Sequence, residues 1–292
     1  MATSLAALLL TACSNDEQNS LPQGQGKVVH FVVNGISTRT ITGNDYTTQF
    51  ETGDKIGIYA TGSAKATNVP FTVQADATLA SETPISYSGT DKASFYAYYP
   101  FAEQKNNQQV VFTTPADQSN EKSFNGADFM TAVNSDVESN TEEVELNFRH
   151  RIVLVQVEVK KEADIPTPDA ISLWAAPTLT WNLADDACTT QGETTEIVMW
   201  KQSQTNDGSI FWGLVPEQTI ATESKLLSIR CGEKSYKFVT ENSIALKSNS
   251  VKKLIIKISN DGTLVVISNG IQCAKWEENS EEMEGEATPI EP

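Results

Sequence analysis

The sequence has little histidine: His30 and His150 are the two in 292 residues. General acid–base, nucleophilic and metal chemistry draw heavily on imidazole, so the composition argues against an enzyme or a bound metal. Positive charge is also scarce, with 21 Lys and Arg against 38 Asp and Glu and a formal net charge of -17. A chain of that sign meets nucleic acid and anionic lipid headgroups with repulsion, which excludes partners recognised through a basic face. No apolar run approaches the roughly 20 residues of a membrane helix. No segment sustains a 3.6-residue apolar period. Gly-rich phosphate loops, Gly-x-Ser-x-Gly and His-Glu-x-x-His are all missing, and no cofactor is expected. The four cysteines include no Cys-x-x-Cys pair and no neighbouring His, a poor set for a metal. What remains, 39% hydrophobic and 20% charged residues, suits one large or two small globular domains.

The first residues read as an address. The apolar stretch from Leu5 to Ala12 has the size of a signal-peptide core. Its end, Leu10-Thr11-Ala12-Cys13, resembles a bacterial lipobox, in which the thiolate of Cys13 receives a diacylglyceryl group before the cut. Residues 1–12 are thus expected to be a lipoprotein signal peptide, whose basic n-region would lie upstream of Met1. Several acyl chains would make the anchoring stable, at about 0.8 kcal/mol per buried methylene. Residues 13–27 are polar with scattered Gly and Pro and read as a flexible tether. With Cys13 assigned to lipid, Cys188, Cys231 and Cys273 are left either as one disulfide and a buried thiol or as three buried thiols.

From Val28 the chain is all-β by pattern, with short apolar runs of period two broken by Gly, Asn, Asp, Ser and Pro. Strands are expected at 28–33, 55–60, 69–73, 93–99, 108–113, 144–148, 152–159, 171–174, 196–200, 209–214, 226–230, 236–239, 254–258 and 263–268. Alternation is clearest in Ile152–Val159, where Val153, Val155, Val157 and Val159 share a face opposite Gln156 and Glu158. The triplets Asn206–Gly208 and Asn260–Gly262 offer the positive φ of tight turns and predict two hairpins. Such a series implies two β-sandwich domains, 28–140 and 141–275, divided in the polar stretch from Pro115 to Thr141. A tail from residue 276 to residue 292 carries seven glutamates and reads as solvated.

Few residues invite chemistry. The adjacent carboxylates Asp185 and Asp186, Glu142 and Glu143, and Glu277 and Glu278 read as surface acids, because neighbours on a strand point to opposite faces. His150 alternates with Leu146 and Phe148 and reads as a satisfied core histidine. The run Phe95-Tyr96-Ala97-Tyr98-Tyr99-Pro100-Phe101 could stack sugars, but the same alternation suits core packing.

Taken in order, these pieces resemble the fimbrillin-like (Mfa-like) family of type V pilus lipoproteins. The likeness rests on the lipobox at Leu10–Cys13, then Thr38-Arg39-Thr40, Phe50-Glu51-Thr52-Gly53-Asp54-Lys55-Ile56-Gly57-Ile58-Tyr59, and Tyr96-Ala97-Tyr98-Tyr99-Pro100. It continues through Asp128-Phe129-Met130 and Leu146-Asn147-Phe148-Arg149-His150 to Trp276. The resemblance implies transthyretin-like domains and a fimbrial subunit, or an accessory or tip component, mediating adhesion from the outer membrane and cell surface. It implies cleavage between Arg39 and Thr40 by a trypsin-like protease, loss of the first strand with Val29, Phe31 and Val33, and strand exchange with other pilin subunits. Each of those three side chains is worth roughly 1.5–3 kcal/mol of burial, and the ladder about 1 kcal/mol per hydrogen bond. The emptied groove is thus worth on the order of 10 kcal/mol to an incoming strand. The glutamate tail is a poor donor, since inward carboxylates would be buried, which favours a tip or accessory role. Loops bearing Trp174 and Trp181 are the expected adhesive surface. The competing reading is a surface lipoprotein that binds glycans or host ligands without polymerising.

Overall fold

The computed structural model describes residues 26–34, 50–103, 106, 108–206, 208–260, 264–266 and 273–275. The first half contributes β1 (His30–Asn34), β2 (Lys55–Gly62), β3 (Ala66–Val73), β4 (Thr78–Ala80), β5 (Ala93–Tyr99), β6 (Gln109–Thr113), the short helix α1 (Glu121–Asn125), β7 (Met130–Val137), β8 (Glu143–Asn147) and β9 (Arg149–His150). All of these strands except β6 form one sheet in the order β8-β1-β4-β3-β2-β5-β7-β9. Its ends approach each other: β8 lies beside β7, and Asn134 Nδ2 donates to Glu145 O at 3.1 Å. The curled sheet encloses a core that includes Phe31, Ile56, Ile58, Phe71, Phe95, Val144 and Leu146.

The rest of the chain supplies β10 (Ile152–Lys161), β11 (Ala170–Ala175), β12 (Thr178–Asn182), β13 (Ala187–Gln191), β14 (Thr195–Val198), β15 (Trp200–Thr205), β16 (Gly208–Pro216), β17 (Gln218–Ile220), β18 (Lys225–Cys231), β19 (Lys234–Val239), β20 (Ile244–Leu246), β21 (Ser250–Ile258), β22 (Leu264–Val266) and β23 (Cys273–Lys275). A sheet ordered β15-β16-β10-β21-β22, with β23 also on β21, faces a second ordered β14-β11-β18-β19. The four valines Val153, Val155, Val157 and Val159 enter the core between them, as their alternation predicts. Ile152 and Leu154, on the opposite face of β10, enter a third core. That core joins the halves: Tyr59 and Tyr98 of the first sheet meet Phe124, Phe129, Trp181, Trp212 and Leu214. Over it lies a small sheet ordered β13-β12-β6.

The protein is therefore nearly all β, as the pattern predicts, and both hairpins are present. β15 pairs antiparallel with β16, Thr205 opposite Gly208, and β21 pairs antiparallel with β22. The motif Gly53–Tyr59 has a structural explanation. Gly53 stands at φ +100, and a Cβ on Gly57 would come within 2.2 Å of the Tyr98 ring that crosses it. Ile56 and Ile58 point into the first core, whereas Tyr59 points into the third.

Three expectations are corrected. The stretch from Pro115 to Thr141 is not a polar divider, because it contains α1 and β7 and buries Phe124, Ala127, Phe129 and Met130. Strands β8 and β9, although C-terminal to residue 141, hydrogen-bond into the first sheet. The run 196–200 does not form one strand. The chain passes at Met199 from β14 in one sheet to β15 in the sheet that faces it.

Candidate functional site

β1 is the element through which the sequence assigns function, and its seating can be built residue by residue. Period-two alternation sends Val29, Phe31 and Val33 inward, and they are 2%, 1% and 3% exposed. Phe31 meets Phe71 and Phe95 edge-on, with ring centroids at 5.3 and 5.2 Å, a favourable arrangement of aromatic quadrupoles. On one side β1 runs parallel to β8, from His30 opposite Glu143 to Asn34 opposite Asn147. On the other side it runs antiparallel to β4 at only two positions, Phe31 with Leu79 and Val32 with Thr78. Three bonds outside the strands extend this side: Val33 N to Ala77 O at 3.1 Å, Val29 N to Ile85 O at 2.9 Å and Gly26 N to Tyr87 O at 2.7 Å. At the start of the segment Lys27 Nζ reaches Glu142 Oε1 at 2.9 Å and Asn140 O at 2.8 Å. The Lys27 hydrogen bond, followed by its charge, holds the Glu142 carboxyl below its usual range.

Cys13, Arg39, Thr40 and the glutamate tail lie outside the described residues. The other three arginines of the chain are all ion-paired: Arg149 and Arg151 with Asp186, and Arg230 with Asp169 at 2.7 Å. The expected adhesive tryptophans are not on loops. Trp181 lies in β12 and is fully buried. Trp174 lies in β11, its Nε1 donating to Ser228 Oγ at 3.1 Å, with Lys225 Nζ 3.6 Å from its ring centre. The aromatic run of β5 divides between two cores: Phe95 and Tyr99 enter the first, and Tyr98 the third. Packing accounts for it. Cys188 and Cys231 are both free thiols, each pushed up to about 11, chiefly by burial. Among the described residues no cluster of His, Cys, Asp and Glu is placed to hold a metal ion, and no helix is long and apolar enough to cross a membrane.

A polar cluster that sequence reasoning missed lies where the two halves meet. His150, 2% exposed, has its Nδ1 2.7 Å from Asp128 Oδ1, so it is the satisfied core histidine that its alternation suggests. Its neighbours Arg149 and Arg151 both turn to Asp186, one to each carboxylate oxygen. Trp181 Nε1 also donates to Asp186 Oδ1, at 2.8 Å, and Arg151 Nε donates to Thr131 Oγ1 at 2.5 Å. Burial draws the Arg151 guanidinium below its ordinary pKa, and the nearby Cys188 and Asp186 oppose that shift. Asp186 is therefore no solvated acid. Nearby, the buried Gln118 donates from Nε2 to Leu214 O and accepts from Leu214 N through Oε1, both at 2.8 Å. One side chain stands in for a pairing strand on that edge of β16.

The model of a family described as fimbrillin-like matches residues 38–276. "Putative fimbrium subunit Fim1C" of Bacteroides uniformis is 28% identical over 214 residues, covering 67% of this chain and 68% of that protein. A crystal structure of a "putative cell adhesion protein" from Bacteroides uniformis superposes with a TM-score of 0.63 at 20% identity, over 87% of this chain and 100% of the other. A second so titled, from Bacteroides ovatus, gives 0.62 at 13% identity, over 83% and 96%. At these identities the structural likeness speaks for the fold.

Proposed function

The chain belongs to the fimbrillin-like family, and from that premise we propose that it is a fimbrial tip or accessory subunit that accepts a strand from a neighbouring pilin after losing its own β1. The family is one of fimbrial and adhesion subunits, not enzymes. In this reading the chain is exported as a precursor anchored to the outer membrane through lipid on Cys13 and is displayed at the cell surface. A trypsin-like protease cuts it between Arg39 and Thr40. The segment carrying Val29, Phe31 and Val33 then leaves, and a donor strand takes its place between β8 and β4. The two halves correspond to two β-sandwich domains of the transthyretin-like kind.

The observation that carries the reading is how β1 is held. It is short, both of its neighbours are distant in sequence, and one of them pairs with it at two positions. It nevertheless covers core residues that cannot stay exposed to water. Two further points support it. Arg149, Arg151 and Arg230 are each held in an ion pair, which disfavours them as targets of an arginine-directed protease. The family match begins at Thr38, beyond β1, so the strand lies outside the shared region. Seven glutamates after Trp276 disfavour donation by this tail and hence a stalk role. The alternative of a glycan-binding lipoprotein that does not polymerise draws little support from the aromatic run read as a sugar platform, since Phe95, Tyr98 and Tyr99 are buried.

The test is limited trypsin digestion of the native mature protein, followed by intact mass and sedimentation. A single cut after Arg39 followed by concentration-dependent oligomers, or by uptake of a partner's strand, is the expected result. A resistant Arg39 with a stable monomer would overturn the proposal.

A further inference from the structure

Loss of β1 would take from β8, already the end strand of its sheet, the strand it pairs with, and would uncover Val144 and Leu146 where Phe31 and Val33 now pack. An acceptor groove is useful only if its walls keep their separation. An edge free to move inward would bury the same apolar residues without any partner. With β1 gone, β8 is held by its contact with β7 and by its own continuation, Phe148 to Arg151. Each of the last three residues of that continuation is fastened: Arg149 to Asp186, His150 to Asp128, and Arg151 to both Asp186 and Thr131. The Arg151 backbone N–H also donates to Phe129 O at 2.9 Å.

We infer that Asp186 is a positioning residue that keeps the strand groove open, by gripping Arg149 and Arg151 and so fixing the end of β8 against the β12–β13 hairpin. The inference rests on the strand-acceptor reading above. Its geometry suits the task. Arg149 and Arg151 are alternate residues, so both side chains project to one side while His150 projects to the other. Both carboxylate oxygens of Asp186 are engaged, one of them also by the indole of buried Trp181. Asp186 itself stands at φ +55 in the turn between β12 and β13, a conformation uncommon for residues other than glycine. Through Thr131 the grip extends to β7, the other strand that β8 lies against.

While β1 is present, its five-residue pairing with β8 does the same job. The clamp should therefore matter little before cleavage and a good deal after it, which a merely stabilising ion pair would not do. The experiment compares the full mature wild-type chain with Asp186→Ala and with the milder Arg149→Met, whose side chain is half exposed. Each is cut at Arg39, freed of the cleaved segment, and titrated with a fluorescein-labelled peptide of residues 26–34. Wild type should rebind the peptide. Asp186→Ala should bind about tenfold more weakly, and Arg149→Met about threefold. The uncut variants should show wild-type hydrogen exchange at residues 29–33. Equal affinities across the three proteins would overturn the clamp while leaving strand acceptance intact, and so would uncut variants in which β1 is already loosened. Failure of the cut wild type to bind the peptide would overturn the acceptor reading and the clamp with it. Should Asp186→Ala not fold, Arg149→Met decides the question alone.

Discussion

β1 and β10 occupy the same kind of place, and the proposal of strand acceptance turns on the contrast between them. Each runs parallel to one neighbour and antiparallel to another, and each sends alternate apolar residues into a core. β10 does so over ten residues, pairs along almost its whole length on both sides, and follows directly from β9. β1 has five residues, of which Phe31 and Val33 point inward with Val29 just before them, and two pairs on its weaker side. Free energy from burial and pairing accumulates with length. One strand is thus fixed for the life of the fold. The other is worth on the order of 10 kcal/mol, which another strand of similar pattern can match.

A charge placed in each seat should have opposite consequences for the fold. Val157→Asp in β10 sets a carboxylate in a sealed apolar core, costing several kcal/mol. That approaches the whole stability of a domain, so no cooperative unfolding transition should remain by circular dichroism. Val33→Asp should instead expel β1 and leave a folded protein, with hydrogen exchange accelerated at residues 29–33 and slow in β10. Next in size is Phe31→Ala, which removes the ring set between Phe71 and Phe95. It should lower stability by about 3–5 kcal/mol in a denaturant titration and speed trypsin cleavage after Arg39. If Phe31→Ala has no effect on cleavage, the groove's hold on β1 does not govern maturation. Gln118→Leu probes the β10 side more gently. It leaves the amide and carbonyl of Leu214 unpaired inside the protein, at about 1–3 kcal/mol, and should leave peptide binding at the β1 groove unchanged.

The same contrast separates what sequence can show from what it cannot. β10 is legible because four valines at period two mark a strand and the face it buries, and β1 because Val29, Phe31 and Val33 repeat that signal within one short run. β7 is not legible: Met130-Thr131-Ala132-Val133-Asn134 buries its first three residues in succession and then exposes Val133, so neither period appears. Trp181 alternates with Leu179 in β12, a signal of only two residues, too short to distinguish a strand from a loop. Asp186 and Gln118 carry no local signature at all. Their roles depend on Arg149 and Arg151, 37 and 35 residues away, and on Leu214, 96 residues away. Pairing over such distances is a property of the fold, and a lone carboxylate beside Asp185 reads as a surface acid until the hairpin carries it to the arginines.

The smallest expected effect concerns the two thiols, one in each of the regions beyond β9. Cys188 lies in β13 beside the Asp186 clamp, and Cys231 lies in the core between the two large sheets. Burial raises both to about 11 from an ordinary value near 9, so the folded protein keeps these protons where the unfolded chain gives them up. Stability from this source is whole below about pH 9, is lost as pH rises from 9 to 11, and changes no further above that. Cys231 is sealed from water, whereas Cys188 is partly exposed and screened, so the loss should be on the order of 1 kcal/mol and larger at Cys231. Denaturant midpoints measured from pH 8 to 11 should fall less steeply for Cys231→Ala than for wild type, with Cys188→Ala intermediate. Tyr59 and Tyr87, also raised by burial, add a further decline above pH 10 that all three proteins share. The comparison is therefore one of slopes between variants, and identical slopes would mean that the thiols titrate alike in the folded and unfolded chains.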